Sequence, residues 1–310
     1  MINLRHMKFL GIIIFSLLLS TQAFADKKFE KDLKKISKDN GFVDDLGKIY
    51  PIDNISDKKS TILIVYTHGS GNDQNIDKCK KKWNKVPPII FNLHDKKIKD
   101  LKVKIYHLCS GVRGWTENHW RKMDDIFKNA SKSNFSKIIK DDFDRIKFDD
   151  AKQFRKQKVI INKIDELSNL GFENIILAGH SAGGWASITL KSKYPNKISG
   201  AIAINPAFSG TLKNRKEWKF WELLREYGIS QINLTSLKNT LIYVHDKDDH
   251  ENSKSLSFLK LDTVVYKDIS NTDCKAKLIF GKHHGIPLTK CFAESDVNQK
   301  EMIKFLEGIF

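Results

Sequence analysis

Short apolar runs alternate along most of the chain with longer amphipathic stretches. TILIVY at 61–66, KVKIYHL at 102–108, NIILA at 174–178, GAIAIN at 200–205, TLIYVH at 240–245 and AKLIF at 276–280 read as strands. Several are apolar at consecutive positions, so both of their faces are expected to be covered. Between them the period lengthens. Residues 151–170 carry Val159, Ile160, Ile164, Leu167 and Leu170 on one helical face, with Gly171 as the stop. Residues 182–193 and 298–306 read as two further helices, and Phe29, Leu33 and Ile36 mark a short packing helix near the start. Strands alternating with helices predict an α/β domain with a mostly parallel central sheet and helices on both faces.

Residues 1–25 stand apart from this pattern. Arg5 and Lys8 precede the apolar run FLGIIIFSLLLS, which ends near Ala23-Phe24-Ala25. This is the layout of a cleaved export signal, and the run is shorter than the roughly 20 residues that span a bilayer. The expectation is a periplasmic or secreted protein starting near Asp26, with a single domain over 26–310 and no membrane span after cleavage. Internal repeats and Pro- or Gly-rich linkers are absent from the sequence.

The charge is +17 over 310 residues. Its lysines are scattered, with no nucleic-acid-binding motif around them, so the surface is basic without implying a specific nucleic-acid partner. The four cysteines fit an exported chain and predict local pairs, Cys79 with Cys109 and Cys274 with Cys291. No C-x-x-C or H-E-x-x-H occurs, so neither a metal nor a cofactor is expected. Cys109 reads as structural rather than as a thiol nucleophile.

The chemistry concentrates in IILAGHSAGGWA, residues 176–187. Ser181 lies directly between a strand and a helix, flanked by Gly179 and Gly183, the setting of a nucleophile elbow. Such a turn strains the serine and brings backbones close, which calls for glycine on either side. It also aims the Ala182 N–H at whatever Ser181 attacks, with the helix dipole behind it. His180, the variable elbow position, is expected to pack or hydrogen-bond beneath the turn.

With this stretch the chain resembles the α/β-hydrolase family, in motif order over roughly 61–310. The resemblance includes a second elbow glycine, Gly184, and His68-Gly69-Ser70 after the first long strand. It implies that the Ser70 N–H joins that of Ala182 as an oxyanion hole. A serine hydroxyl needs a histidine to take its proton and a carboxylate to orient that histidine. The family order is serine, acid, histidine. His245-Asp246-Lys247-Asp248-Asp249 matches its H-G-x-x-D shape with Asp249 as the acid, although Asp246 replaces the usual glycine and Asp248 is the alternative. Of His283 and His284, the latter precedes Gly285 and fits the H-G ending.

The resemblance implies a serine hydrolase, foremost a carboxylesterase, acting through an acyl-enzyme on a small or polymeric ester. Peptidase and acyltransferase chemistry use the same machinery, and a non-catalytic binding module on the same fold is the alternative from another class. Residues 111–150 and 206–238 are expected to form at most a small cap. Trp115, Trp120, Trp218 and Trp221 are candidates for its apolar wall or for ordinary packing.

Overall fold

In the computed structural model, five of the six apolar runs form strands of one sheet, nine-stranded among the described residues. The structure describes residues 29–50, 54–69, 85–115, 117–128, 130–131, 133–141, 146, 150–208, 210–217, 219–276 and 283–310. The expected leader at 1–25, Ser70, Cys79, Trp218 and all but the first residue of the strand read at 276–280 lie outside them.

The strands are β1 (Gly41–Val43), β2 (Ile49–Tyr50), β3 (Thr61–Thr67), β4 (Lys97–Ile98), β5 (Leu101–Leu108), β6 (Asn174–His180), β7 (Gly200–Ile204), β8 (Thr240–Val244) and β9 (Val264–Asp268). Their order is β2-β1-β5-β3-β6-β7-β8-β9, with β4 paired to β5 as a small hairpin. From β5 through β9 every neighbour is parallel; β1 joins β5 antiparallel. This mostly parallel sheet, with an elbow after its middle strand, has the α/β-hydrolase fold expected from the motifs.

The helices among the described residues include α1 (29–37), α2 (Pro88–Phe91), α3 (Glu117–Phe127), α4 (Phe135–Asp141), α5 (Lys152–Asn169), α6 (Ala182–Lys193), α7 (Leu212–Glu217), α8 (Lys219–Ser230), α9 (Lys290–Glu294) and α10 (Asp296–Glu307). The strand period of two divides the core between the two faces of the sheet. Leu63, Val65, Ile175 and Leu177 pack with Ile160, Ile164 and Leu167 of α5 and with Ala186 and Leu190 of α6. Ile62, Ile64, Tyr66, Ile176 and Ala178 face the other way, onto Phe292 of α9 and Met302, Phe305 and Leu306 of α10. Burying each such side chain contributes roughly 1.5–3 kcal/mol. Helix α6 is buried from Ala182 to Ser192, which is why AGGWASITLKS shows no clean amphipathic stripe.

Strand β9, outermost on its side of the sheet among the described residues, departs from the expectation. Val264–Asp268 was not legible as a strand: it buries only Val264, and Val265 is exposed. The two segments expected to cap the site pack on each other. Phe220 of α8 stacks against Trp115 at 5.7 Å and Phe127 of α3 at 5.0 Å between centroids. Trp115 is a core residue of this layer rather than a pocket wall.

Cys274 and Cys291 form the expected disulfide, with a Cα–Cα distance of 5.7 Å. Cys109 is also disulfide-bonded, and the Cys79 half of the other expected pair lies outside the described residues. No helix among the described residues is long and apolar enough to cross a membrane.

Candidate active site

One residue separates β6 from α6, and that residue is Ser181. Its backbone sits at φ 54° and ψ −122°, a region that costs a side-chain-bearing residue on the order of 1–3 kcal/mol. Three hydrogen bonds hold it there. Ser181 N donates to Ile204 O at 3.0 Å, while Ser181 O accepts from Trp185 N at 2.9 Å and Ala207 N at 3.1 Å. The glycines are required by contact. A Cβ on Gly179 would lie 2.3 Å from Gly183 C, and one on Gly183 would lie 2.2 Å from Thr67 O. The space beside the serine is filled by backbone.

The His68-Gly69 segment lies on this turn, since a Cβ on Gly69 would come within 3.2 Å of Ser181 Cβ. Ser70, the expected partner amide of the oxyanion hole, is outside the described residues. Ala182 is the first residue of α6, so its N–H has no acceptor one turn earlier in the helix.

The carboxylate that meets His284 is not the one matched in the sequence reading. Asp249, matched to the family's acid position, is exposed, and its carbonyl accepts from Leu212 N at 2.7 Å. Asp248 is the buried neighbour, and its Oδ2 accepts from His284 Nδ1 at 2.6 Å. The reason is the turn. Asp248 N donates to His245 O at 3.1 Å, closing a four-residue β-turn after β8 that directs residue 248 inward and 249 outward. His284 rather than His283 meets Asp248; the His283 ring instead lies against that of His245, 4.2 Å between centroids and tilted by 31°.

His284 is gripped from behind as well. Its carbonyl accepts from His180 Nε2 and from Asn205 Nδ2, each at 2.9 Å. His180 is the residue before Ser181, so a single hydrogen bond couples the elbow to the histidine loop. With Nδ1–H on Asp248, His284 Nε2 is left as the basic nitrogen, buried and without a hydrogen bond.

Burial alone would push the Asp248 carboxyl up, but hydrogen bonds from His250 and His284 outweigh it and hold the group well below the usual carboxylate range. Burial lowers His284, against the opposing pull of Asp248. His180, wholly buried beside His284, is lowered to about 3 and is neutral at ordinary pH. Together these favour a charged Asp248 carboxylate beside an imidazole whose protonation burial opposes. Asp248, His250 and His284 place donor atoms within 4.8 Å of one another, but the 2.6 Å contact is a hydrogen bond, too short for two ligands around one ion.

Two features went unread in the sequence. Glu251 is fully buried between Arg215 and Arg225, with Arg215 Nη1 to Oε1 at 2.8 Å and Arg225 Nε to Oε1 at 2.7 Å. Arg215 Nη2 also donates to His250 O at 2.7 Å, clamping the acid loop to α7 and α8. Asn205, at φ 39°, ends β7 in a conformation that asparagine tolerates better than most residues. No spacing rule pairs these residues; only the fold does.

No family model matches the chain, and no curated protein matches it. Solved structures with a likeness to it include Est1E from Butyrivibrio proteoclasticus, at 11% identity and TM-score 0.46, covering 82% of this chain and 91% of that one. The monoacylglycerol lipase of Paleococcus ferrophilus is 14% identical with TM-score 0.41, covering 79% and 92%. A soluble variant of monoglyceride lipase from Saccharomyces cerevisiae is 11% identical with TM-score 0.40, covering 81% and 86%. Likenesses this distant carry over neither an activity nor a substrate.

Proposed function

We propose that the chain is an exported serine hydrolase of the α/β-hydrolase fold, working on an ester-like carbonyl through an acyl-enzyme. The observation that carries the reading is the 2.6 Å hydrogen bond from His284 to a buried Asp248, coupled through His180 to a strained Ser181. Three residue types needed for nucleophilic catalysis converge from the ends of β6, β8 and the segment before α9.

In this reading Ser181 Oγ attacks the carbonyl carbon while His284 Nε2 takes its proton. Asp248 holds the imidazole in the tautomer that leaves Nε2 basic and stabilises the imidazolium that forms. The Ala182 N–H, with Ser70 as its proposed partner, receives the oxyanion. Removal of one such donor typically costs about 10²–10³ in rate. The imidazolium returns its proton to the leaving alcohol. Water, deprotonated by His284, then attacks the acyl-serine, and Ser181 Oγ leaves with that proton. A carboxylesterase is the activity we favour, since the helices after β7 pack into the core rather than forming a large separate cap. Export rests on the leader at 1–25 and on the Cys274–Cys291 disulfide, which suits an oxidising compartment. The mature unit is residues 26–310, one domain.

The test is covalent labelling of residues 26–310 by a fluorophosphonate, beside Ser181→Ala. Labelling of the wild type and its loss in the variant are expected. A folded wild type that does not label more than Ser181→Ala would remove the nucleophile, and the binding-module reading would replace it.

A further inference from the structure

His250 has no part in a serine–histidine–acid set, yet it is built into this one. Its backbone N–H donates to Asp248 Oδ1 at 2.9 Å, occupying the carboxylate oxygen that His284 does not use. Its imidazole stacks on that of His284, with centroids 4.2 Å apart and planes 25° from parallel. Its Nδ1 lies 3.6 Å from Asp248 Oδ1, within ion-pair reach but too long for a hydrogen bond. That nitrogen is buried and has no hydrogen bond. Two imidazoles thus share one aspartate, one hydrogen-bonded to it and the other stacked over the first.

We propose that His250 is a positioning residue that holds the His284 ring against Asp248 and sets the low-pH limit at which His284 serves as a base. The proposal rests on the reading of His284 as the base for Ser181. The stack restricts rotation of His284 about its side-chain bonds, with the ring of His180 at 4.6 Å as another neighbour. The electrostatic part has two regimes. A neutral His250 presents its ring face to the imidazolium that forms on His284 during turnover, a favourable contact. A protonated His250 sets a second positive charge beside it and competes for the same carboxylate.

The surroundings do not cancel this effect. Asp248 faces both rings and is common to the two forms. His180, facing His284 from the elbow, is held neutral by burial. Asp249 lies next in the loop and favours charge on His284. Arg215 of α7 reaches the His250 carbonyl but is paired with Glu251, as is Arg225 of α8. His283 is turned toward His245. His250 is therefore the ring whose charge bears directly on His284, by stacking on it and by sharing Asp248. Its effect is to keep His284 unprotonated, and usable as a base, further into the acid range.

The sign follows. Removing the imidazole while keeping a flat ring, in His250→Phe, raises the pH at which His284 takes its proton by on the order of one unit. Ring-proton NMR titration of wild type and His250→Phe measures this directly, without any substrate. Fluorophosphonate labelling rates of the same two proteins at pH 5.5 and 8 give the functional readout, in which the pH 8 to pH 5.5 ratio rises in the variant, by up to about sevenfold for a one-unit shift. In His250→Ala, which also loses the stack, the downfield Nδ1 proton of the Asp248–His284 hydrogen bond broadens or disappears. A His284 titration unchanged in His250→Phe, together with an intact downfield proton in His250→Ala, overturns the proposal. If instead wild type and Ser181→Ala label alike, the hydrolase reading fails, while the His284 titration still decides what His250 does.

Discussion

At the scale of single residues, the site depends on which of two adjacent aspartates points inward. Asp248 and Asp249 are chemically identical and one position apart, and only the turn closed by His245 O distinguishes them. Asp248→Asn keeps the shape but presents an amide that can favour the wrong imidazole tautomer. Labelling of Ser181 is expected to slow by about 10³-fold or more. Asp249→Asn, on an exposed side chain, is expected to stay within about threefold, as surface substitutions usually do. Labelling rates of the two variants at pH 8 test the assignment, and the opposite ranking would return the acid to Asp249. Ser181 itself is legible in the sequence, because strand, glycine, serine, glycine and helix in close succession describe a local backbone geometry. Asp248 was legible only as an alternative, since Asp246 in place of glycine leaves the turn type open.

At the scale of elements, the acid loop is held by a buried ion cluster that crosses from one segment to another. Glu251, three residues beyond Asp248, binds Arg215 of α7 and Arg225 of α8, and Ser255 Oγ adds a bond at 2.7 Å. A buried ion pair is weak support for stability in itself, but removing one partner strands the others and costs about 3–5 kcal/mol. Glu251→Ala therefore predicts a melting temperature lower by about 10 °C, read by calorimetry. A fall under about 2 °C would mean that the cluster does not hold the loop. Long strands and helices matched their sequence patterns because both faces of β3, β6, β7 and β8 are covered, so the positions between their polar end residues carry no charged or amide side chain. Strand β9, outermost among the described residues, escaped because only Val264 of its five positions is buried, so it has no reason to be apolar throughout.

At the scale of the whole molecule, the chain end is tied back to the site. The Cys274–Cys291 bridge, with a sequence separation of 17, encloses the segment that carries His284. Closing a loop of this size is worth about 3 kcal/mol in the chain-entropy model. Cys274→Ala combined with Cys291→Ala is expected to lower the melting temperature by about 5–10 °C and to slow Ser181 labelling. An unchanged melting temperature and labelling rate would leave the bridge without a role in holding the base. The sequence by itself determined the alternation of strands and helices, the parallel sheet, the elbow at Ser181, the histidine before Gly285 and this disulfide. The alternation, the sheet and the elbow are written in local periodicity and turn chemistry and the disulfide in a short loop between cysteines, while the histidine before Gly285 came from the resemblance to the α/β-hydrolase family. The inward aspartate, the His180 and Asn205 bonds to the His284 carbonyl, the stacked His250 and the Glu251 cluster were decided by tertiary structure. They join positions far apart in the chain or choose between equivalent neighbours, and a side chain's direction at such positions is fixed only when the sheet and its loops close around it.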